Sequence, residues 1–356
     1  MTSLDESKTI AASSATLPPE DERTVLERAV VSFGRYWLFL FLAGLILYFS
    51  LGTPNHAFFQ TNNFKTIALD TSEVILLAIG ETFVIVTAGI DLSVGGILLF
   101  SGVAGGTVML DLSGTQAQVE SLQYPHASVA VPVGVLVIVA TSIVLGFLNG
   151  VLVTALRLPS FIVTLGTLGM FFGAADLLSG GTNISAVPSS FQDTIGNGKV
   201  LGLFVPVVIA IGFVAATHVL LRYTRFGRYT AAIGSNEEAS RRAGIAVDAH
   251  LIKVYTLAGF LAGVAAIIDL SRFGSMNLAA HNTDNLNAIA AVVIGGTSLF
   301  GGIGTILGTV VGAFIPTVLQ NGFIIQGVDP FWQELLVGAT IIVAVYLDQL
   351  RRRRLS

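Results

Sequence analysis

The chain contains no cysteine. That excludes disulfides, iron–sulfur clusters and thiolate metal sites, and leaves no redox clue to compartment. It is also poor in charge, with 11% Asp, Glu, Lys and Arg over 356 residues, about half of what a soluble domain carries. A phosphate-binding GxxxxGK[S/T] loop is missing, because Gly196-Asn197-Gly198-Lys199 runs on into Val200 without the required spacing. There is no HExxH, GxSxG or dinucleotide fingerprint either. Nothing here hydrolyses ATP, and no catalytic constellation supports an enzyme. No ladder of acids and histidines marks a proton relay: His56, His126, His218, His250 and His281 are scattered, mostly at span ends.

What fills the chain instead is apolar sequence. Hydrophobic residues make up 53% of it, mean hydropathy is +0.80, and several runs approach the roughly 20 residues that cross a bilayer. The expectation is an all-α polytopic membrane protein of about ten transmembrane helices, near 36–52, 67–88, 94–110, 129–156, 161–178, 200–221, 252–270, 287–300, 303–323 and 331–348. Broken or re-entrant helices are expected near 89–96 and 287–302, since the eighth span is short. With the N-terminus in the cytoplasm, 15 of the 18 basic residues fall inside, and only Lys65, Lys199 and Arg272 outside. The positive-inside rule therefore orients the whole scheme, with both termini cytoplasmic. Residues 1–30 are polar and read as a disordered or loosely helical extension without a cleavable signal. One membrane domain covers 31–350, and 351–356 form a basic tail.

One stretch breaks the apolar pattern. Between Arg222 and His250 stand Arg222, Arg225, Arg228, Arg241, Arg242, Glu237, Glu238 and Asp248, eight charges in 29 residues. A polar island between spans is a place for a partner outside the bilayer to hold. Asn236-Glu237-Glu238 reads as a helix start, with Asn236 as cap and the acids near the positive end of the dipole. The outer arginines Arg222, Arg225 and Arg228 read as membrane-surface anchors.

Two glycine-rich breaks carry the remaining polar chemistry. In Gly89–Gly96 the glycines relax the helix, and Asp91 and Ser93 are placed to cap the start of the next helix. This fits a tight turn between spans as well as a discontinuous helix beside a polar route, since irregular backbone at membrane depth needs cover from protein or a watery cavity. Gly295–Gly302 repeats the design with Thr297 and Ser298. It leads into Gly304, Gly308 and Gly312 at four-residue spacing, a strip for close helix packing. Of the ionisable groups in or near spans, Asp176, Asp269 and Glu334 lie near ends, within reach of headgroup water, whereas Glu81 is deeper. Glu81, Asp91, Ser93, Asn149, Thr164, Thr167, Asn287, Thr297 and Ser298 form the candidate substrate pathway for a neutral hydroxylated solute. Each alone serves equally as interhelical glue.

In order along the chain, Leu77–Gly96, Leu158–Gly181, Thr224–Ile245, Leu286–Thr309 and Asn321–Asp348 resemble the permease subunit of ribose-type ABC importers, within the branched-chain amino acid/ribose permease superfamily. The resemblance covers most of the chain from about residue 67. It implies two permease copies, most simply a homodimer in the bacterial inner membrane, two ABC ATPase subunits on the cytoplasmic side, and an extracytoplasmic solute-binding protein. It also implies that ATP and magnesium are bound by the ATPase, that this chain binds no cofactor or nucleic acid, and that the cargo is a monosaccharide or sugar alcohol. By position, Gly234, Asn236, Glu237, Glu238, Ala239, Arg241, Arg242 and Gly244 become the ATPase-coupling segment. Four residues depart from the family pattern: Ala88 for Gly, Gly173 for Arg, Asn285 for Glu, and Phe300 for a small residue. These put the transfer of any particular sugar's specificity in doubt. The rivals are an importer of the same type for a nucleoside, a branched-chain amino acid or a signalling furanose, and an ion-coupled carrier in which Glu81 would be the essential charge.

Overall fold

The computed structural model describes residues 25–329 and, beyond them, Trp332, Leu335, Gly338, Ala339, Ile342, Val343 and Tyr346. The expected tenth span at 331–348, with Glu334, and the basic tail at 351–356 thus lie largely or wholly outside the described residues. Helix α1 (Val25–Gly52) begins inside the stretch expected as the 1–30 extension, so residues 25–30 are helical. It is followed by α2 (Thr61–Val86), α3 (Val94–Ser113), the short α4 (Gln116–Glu120), α5 (Ala127–Leu156) and α6 (Ser160–Ser179). Strand β1 (Ile184–Ser185), the turn α7 (Ser189–Phe191) and a tight hairpin of β2 (Lys199–Val200) with β3 (Leu203–Phe204) come next. Then follow α8 (Val205–Tyr223), α9 (Arg225–Ser235), α10 (Glu237–Arg242), α11 (Val247–Phe273), β4 (Ser275–Met276), α12 (Asp284–Ile294) and α13 (Ile306–Ile325). Strand β1 pairs antiparallel with β4.

Among the described residues, six helices, α3, α5, α6, α8, α11 and α13, are long and apolar enough to cross a membrane. Helix α2 has the length, but carries Lys65, Asp70, Glu73 and Glu81. The expected eighth span is only the 11-residue α12, about 16 Å at 1.5 Å per residue. That is half of a bilayer's hydrocarbon core, and the chain leaves it through the Gly295–Gly302 break rather than continuing to residue 300. The sixth span starts at Val205, because residues 200–204 are spent on the hairpin, whose Leu201 and Gly202 both have positive φ.

The centre of the molecule is α11, packed most extensively on α5, α2 and α3. Small residues set that closeness. A Cβ on Gly146 would sit 2.4 Å from the Tyr255 carbonyl oxygen, and one on Gly259 2.5 Å from that of Ser142. With lipid no less apolar than side chains, van der Waals contact at such faces holds the bundle. The strip read as a packing face behaves the same way. A Cβ on Gly308 would lie 2.1 Å from the Gly295 oxygen and one on Gly312 2.0 Å from the Ala291 oxygen, so α12 and α13 touch backbone to backbone. A second apolar cluster joins α1 to α13 through Phe49, Ile315, Val318 and Leu319.

Candidate functional site at the two helix breaks

The first break is held by side chains from three helices, α2, α5 and α6, and by its own Asp91 and Ser93. After Val86, Ala88 takes φ +64°, a left-handed conformation that disfavours a Cβ. The backbone then turns back into the interior, and each exposed amide finds a partner. Ile90 N–H donates to Ser160 Oγ at 2.9 Å, Asp91 N–H to Glu81 Oε1 at 3.1 Å, and Leu92 N–H to Thr164 Oγ1 at 3.0 Å. Ser93 N–H and Oγ–H both reach Asp91 Oδ1, at 2.8 and 2.6 Å, and Asn149 Nδ2 donates to Ser93 Oγ at 2.6 Å. Glu81, Asp91, Ser93, Asn149 and Thr164 are all fully buried.

Five of the nine candidate pathway residues therefore form one network, and it satisfies the backbone of a broken helix at depth, where an unpaired amide is costly. Acceptor capacity is left over: Glu81 Oε2, Asp91 Oδ2 and Asn149 Oδ1 have no hydrogen-bond partner among the described residues. Thr167 lies on the same helix as Thr164 and donates to its carbonyl at 3.2 Å. No hydrogen bond joins Asn287, half-buried on α12, to this network among the described residues. Thr297 and Ser298 lie in the second break. Thr297 Oγ1 is buried with no hydrogen-bond partner among the described residues, and Ser298 Oγ accepts from Phe300 N–H at 3.3 Å. Asp176 is exposed at the end of α6, whereas Asp269 is buried, against the expectation that both reach headgroup water.

The two breaks are joined to each other, and the polar island reaches their junction. Gly302 N–H donates to the Val86 carbonyl at 2.9 Å, so the end of α2 and the second break share a hydrogen bond. Against it lies Gly234, near the end of α9. A Cβ at that position would stand 1.8 Å from the Val86 oxygen and 2.7 Å from the Gly302 nitrogen. Helix α9 is amphipathic. Thr224 caps it by accepting from Gly227 N–H, Phe226 packs on Phe83 and His250, and Thr230 Oγ1 hydrogen-bonds His250 Nε2 at 2.9 Å. Arg222, Arg225 and Arg228 point outward and are exposed.

Helix α10 follows without a loop. Asn236 caps it, its Oδ1 accepting from Ala239 N–H at 2.8 Å. Glu237 and Glu238 occupy the first turn, Arg241 and Arg242 the last, which suits the helix dipole. Arg241 pairs with Glu237 at 2.8 Å and with Asp248 at 2.5 Å, and Arg242 pairs with Glu238. Its hydrogen bonds to Asp248 and then Glu237 hold the Arg241 guanidinium above its ordinary pKa. Gly244 takes φ +85° with open space around it, ending the helix as glycine commonly does. Exposed pairs of this kind contribute about 0–1 kcal/mol each. They fix the charge pattern of the surface rather than the fold. Beside them opens a cleft of about 570 Å³ lined by Arg157, Leu158, Glu237, Arg241 and Asp248.

Sequence reasoning found the island and both breaks but missed that they meet. Val86 carries no signal in one dimension, although the paired Gly301-Gly302, both with positive φ, marks a place where backbone approaches backbone.

Residues 63–345 match the family described as branched-chain amino acid transport system, permease component. The chain belongs to this family of permeases. It is 36% identical to the ribose import permease protein of Escherichia coli (strain K12) over 327 residues, which span 89% of this chain and 95% of that protein. It is 35% identical to the fructose import permease protein of Rhizobium meliloti over 311 residues, 83% of this chain and 80% of the other. With the galactose/methyl galactoside import permease protein of Escherichia coli (strain K12) the identity is 32% over 330 residues, 90% and 95% of the two chains. No solved structure matches. The resemblance to ribose-type ABC importer permeases is thus confirmed: this is a multi-pass membrane permease subunit of an ABC import system, a transport component and not an enzyme.

Proposed function

We propose that the permease moves a monosaccharide or sugar alcohol, delivered by an extracytoplasmic binding protein, and that α9 and α10 are where an ABC ATPase takes hold of it. In this reading the chain works as a homodimer in a bacterial inner membrane. It has ten spans, both termini in the cytoplasm, and a single transmembrane domain over about residues 31–350. ATP and magnesium belong to the ATPase, and this chain binds no cofactor.

The observation that carries the reading is the contact of Gly234 with the Val86–Gly302 junction. A force applied to the charged surface of α10 passes through Asn236 into the end of α9, and from there into both helix breaks together. Broken helices are elements with more than one arrangement, and a ligand shifts such an equilibrium only through differential contact with its states. ATP-driven movement of the docked partner supplies that difference. The network of Glu81, Asp91, Ser93, Asn149 and Thr164 sets the shape of the first break. Thr167, Asn287, Thr297 and Ser298 complete the polar lining along which hydroxyl groups exchange hydrogen bonds.

The sugar assignment is supported by relatives whose names specify ribose, fructose and galactose import. It is also supported by a candidate pathway built mostly from uncharged hydrogen-bonding groups. The test is reconstitution with the partner ATPase and binding protein. Replacing Glu237, Glu238, Arg241 and Arg242 by Ala is expected to abolish solute-stimulated ATP hydrolysis and uptake while the permease remains folded. Normal uptake and stimulation in that variant would sink the coupling assignment, and uptake independent of ATP would favour an ion-coupled carrier.

A further inference from the structure

At the far end of α11 from the coupling segment, the described residues hold a second constellation of ionisable groups that the transport reading does not use. Helices α2 and α11 face each other there in two successive layers. In the outer layer Asp70 pairs with Arg272 at 2.6 Å, a satisfied bridge between the helices. One turn further along each helix the pattern fails, because Glu73 on α2 is followed across the interface by Asp269 on α11, a second acid instead of a cation. Asp284, the first residue of α12, brings a third carboxylate. Between them lies His281, 4% exposed, carried on the loop that links β4 to α12.

The imidazole is held from both sides. Its Nδ1 lies 2.7 Å from Asp284 Oδ2, and its buried Nε2 faces Asp269 Oδ2 at 3.6 Å, with no hydrogen-bond partner among the described residues. One ligating atom each from Glu73, His281 and Asp284 lies within 4.8 Å of the others. Three carboxyl groups surround one imidazole, and buried acids of this kind persist only when protonated, paired or bound to a metal. A protonated imidazole supplies one positive charge, a divalent ion two. A carboxylate on the ring nitrogen that does not bind metal is also the common way to orient a metal-binding histidine, and Asp269 stands in that position.

We propose that Glu73, His281 and Asp284 bind a divalent transition-metal ion, with Asp269 holding the other side of the imidazole. One imidazole nitrogen and two carboxylates suit Zn²⁺ or Mn²⁺. Bound there, the ion ties α2, the end of α11 and the start of the half-length α12 into one unit. It fixes the short helix at the end opposite to the one where the breaks are worked.

The test uses untagged full-length permease in detergent, stripped with EDTA and titrated with ZnCl₂ or MnCl₂. Calorimetry and elemental analysis after gel filtration report the ion, and thermal unfolding reports its effect. Wild type is expected to take up about one ion per chain and to unfold at higher temperature with it, as any ligand of the native state requires. Glu73→Gln, which keeps side-chain shape, and His281→Ala are each expected to weaken binding at least about tenfold and to remove the thermal shift. Asp176→Asn, an exposed acid elsewhere, is expected to behave as wild type. If His281→Ala does not fold, Glu73→Gln decides. No saturable binding by wild type would overturn the proposal in favour of an imidazolium–carboxylate cluster. Unchanged binding by Glu73→Gln would mark an adventitious ion only, and would overturn it as well.

Discussion

Replacing Gly234 by Ala adds one methyl group at the point where the island meets the breaks, and the structure sets the size of the effect. The new Cβ would stand 1.8 Å from the Val86 oxygen, about half of a normal carbon–oxygen contact. No flexible side chain can yield, because both nearest atoms, the Val86 oxygen and the Gly302 nitrogen, are backbone and bonded to each other at 2.9 Å. Either the end of α9 withdraws or that hydrogen bond opens. Overpacking costs about 1–3 kcal/mol and a lost hydrogen bond about 1 kcal/mol, so a destabilisation of roughly 1–3 kcal/mol is expected, whichever gives way. Denaturation of the purified permease measures it. Uptake and solute-stimulated ATP hydrolysis in proteoliposomes measure the second consequence, a larger loss of transport than of folded protein. Gly173→Ala is the control, since nothing lies within 4 Å of a Cβ there. Wild-type stability and transport in Gly234→Ala would refute the wedge of α9 against the breaks.

Three further outcomes rest on the same geometry. Ala88→Gly relieves a non-glycine residue at φ +64° whose exposed side chain loses little packing. Stability should rise by up to about 1 kcal/mol, and a fall would show that the Cβ matters to the junction. Asn149→Ala removes the donor to Ser93 Oγ at 2.6 Å and opens a small void, so a loss of about 1–3 kcal/mol is expected, with solute affinity of the binding protein unaffected. The fourfold Ala variant of α10 should lose no more than about 2 kcal/mol, because its ion pairs are exposed. A collapse in its yield of folded protein would mean that these charges serve the fold.

Much of the membrane architecture was legible in one dimension because apolar length and glycine clusters are local signals. Among the described residues, eight of the ten expected spans lie mostly on long helices, six of which are apolar enough to cross a membrane, and the shortness of the eighth was visible from residue 287 onward. Asn236 as a cap is equally local: it needs only its own side chain and the amide three residues on. What stayed hidden depends on contacts between distant segments. Glu73, Asp269, His281 and Asp284 are spread over 212 residues, and each alone reads as a polar residue near a span end. The loop after β4 carries His281 inward, and nothing in its composition announces that. The polar residues of the first break were legible as a group, but not their division of labour. Whether Thr164 meets a solute or a backbone amide is decided by the return of residues 90–92 toward α6.

The shared hydrogen bond between Val86 and Gly302 has a consequence for how the chain can vary. Segments near residues 86–88, 234 and 301–302 meet at one point, although more than 200 positions separate the first from the last. A graft from a related permease that replaces only one of them brings a surface shaped for different neighbours. Chimeras that respect this meeting point exchange all three together, and those that divide it should assemble poorly even where every exchanged residue is common among relatives.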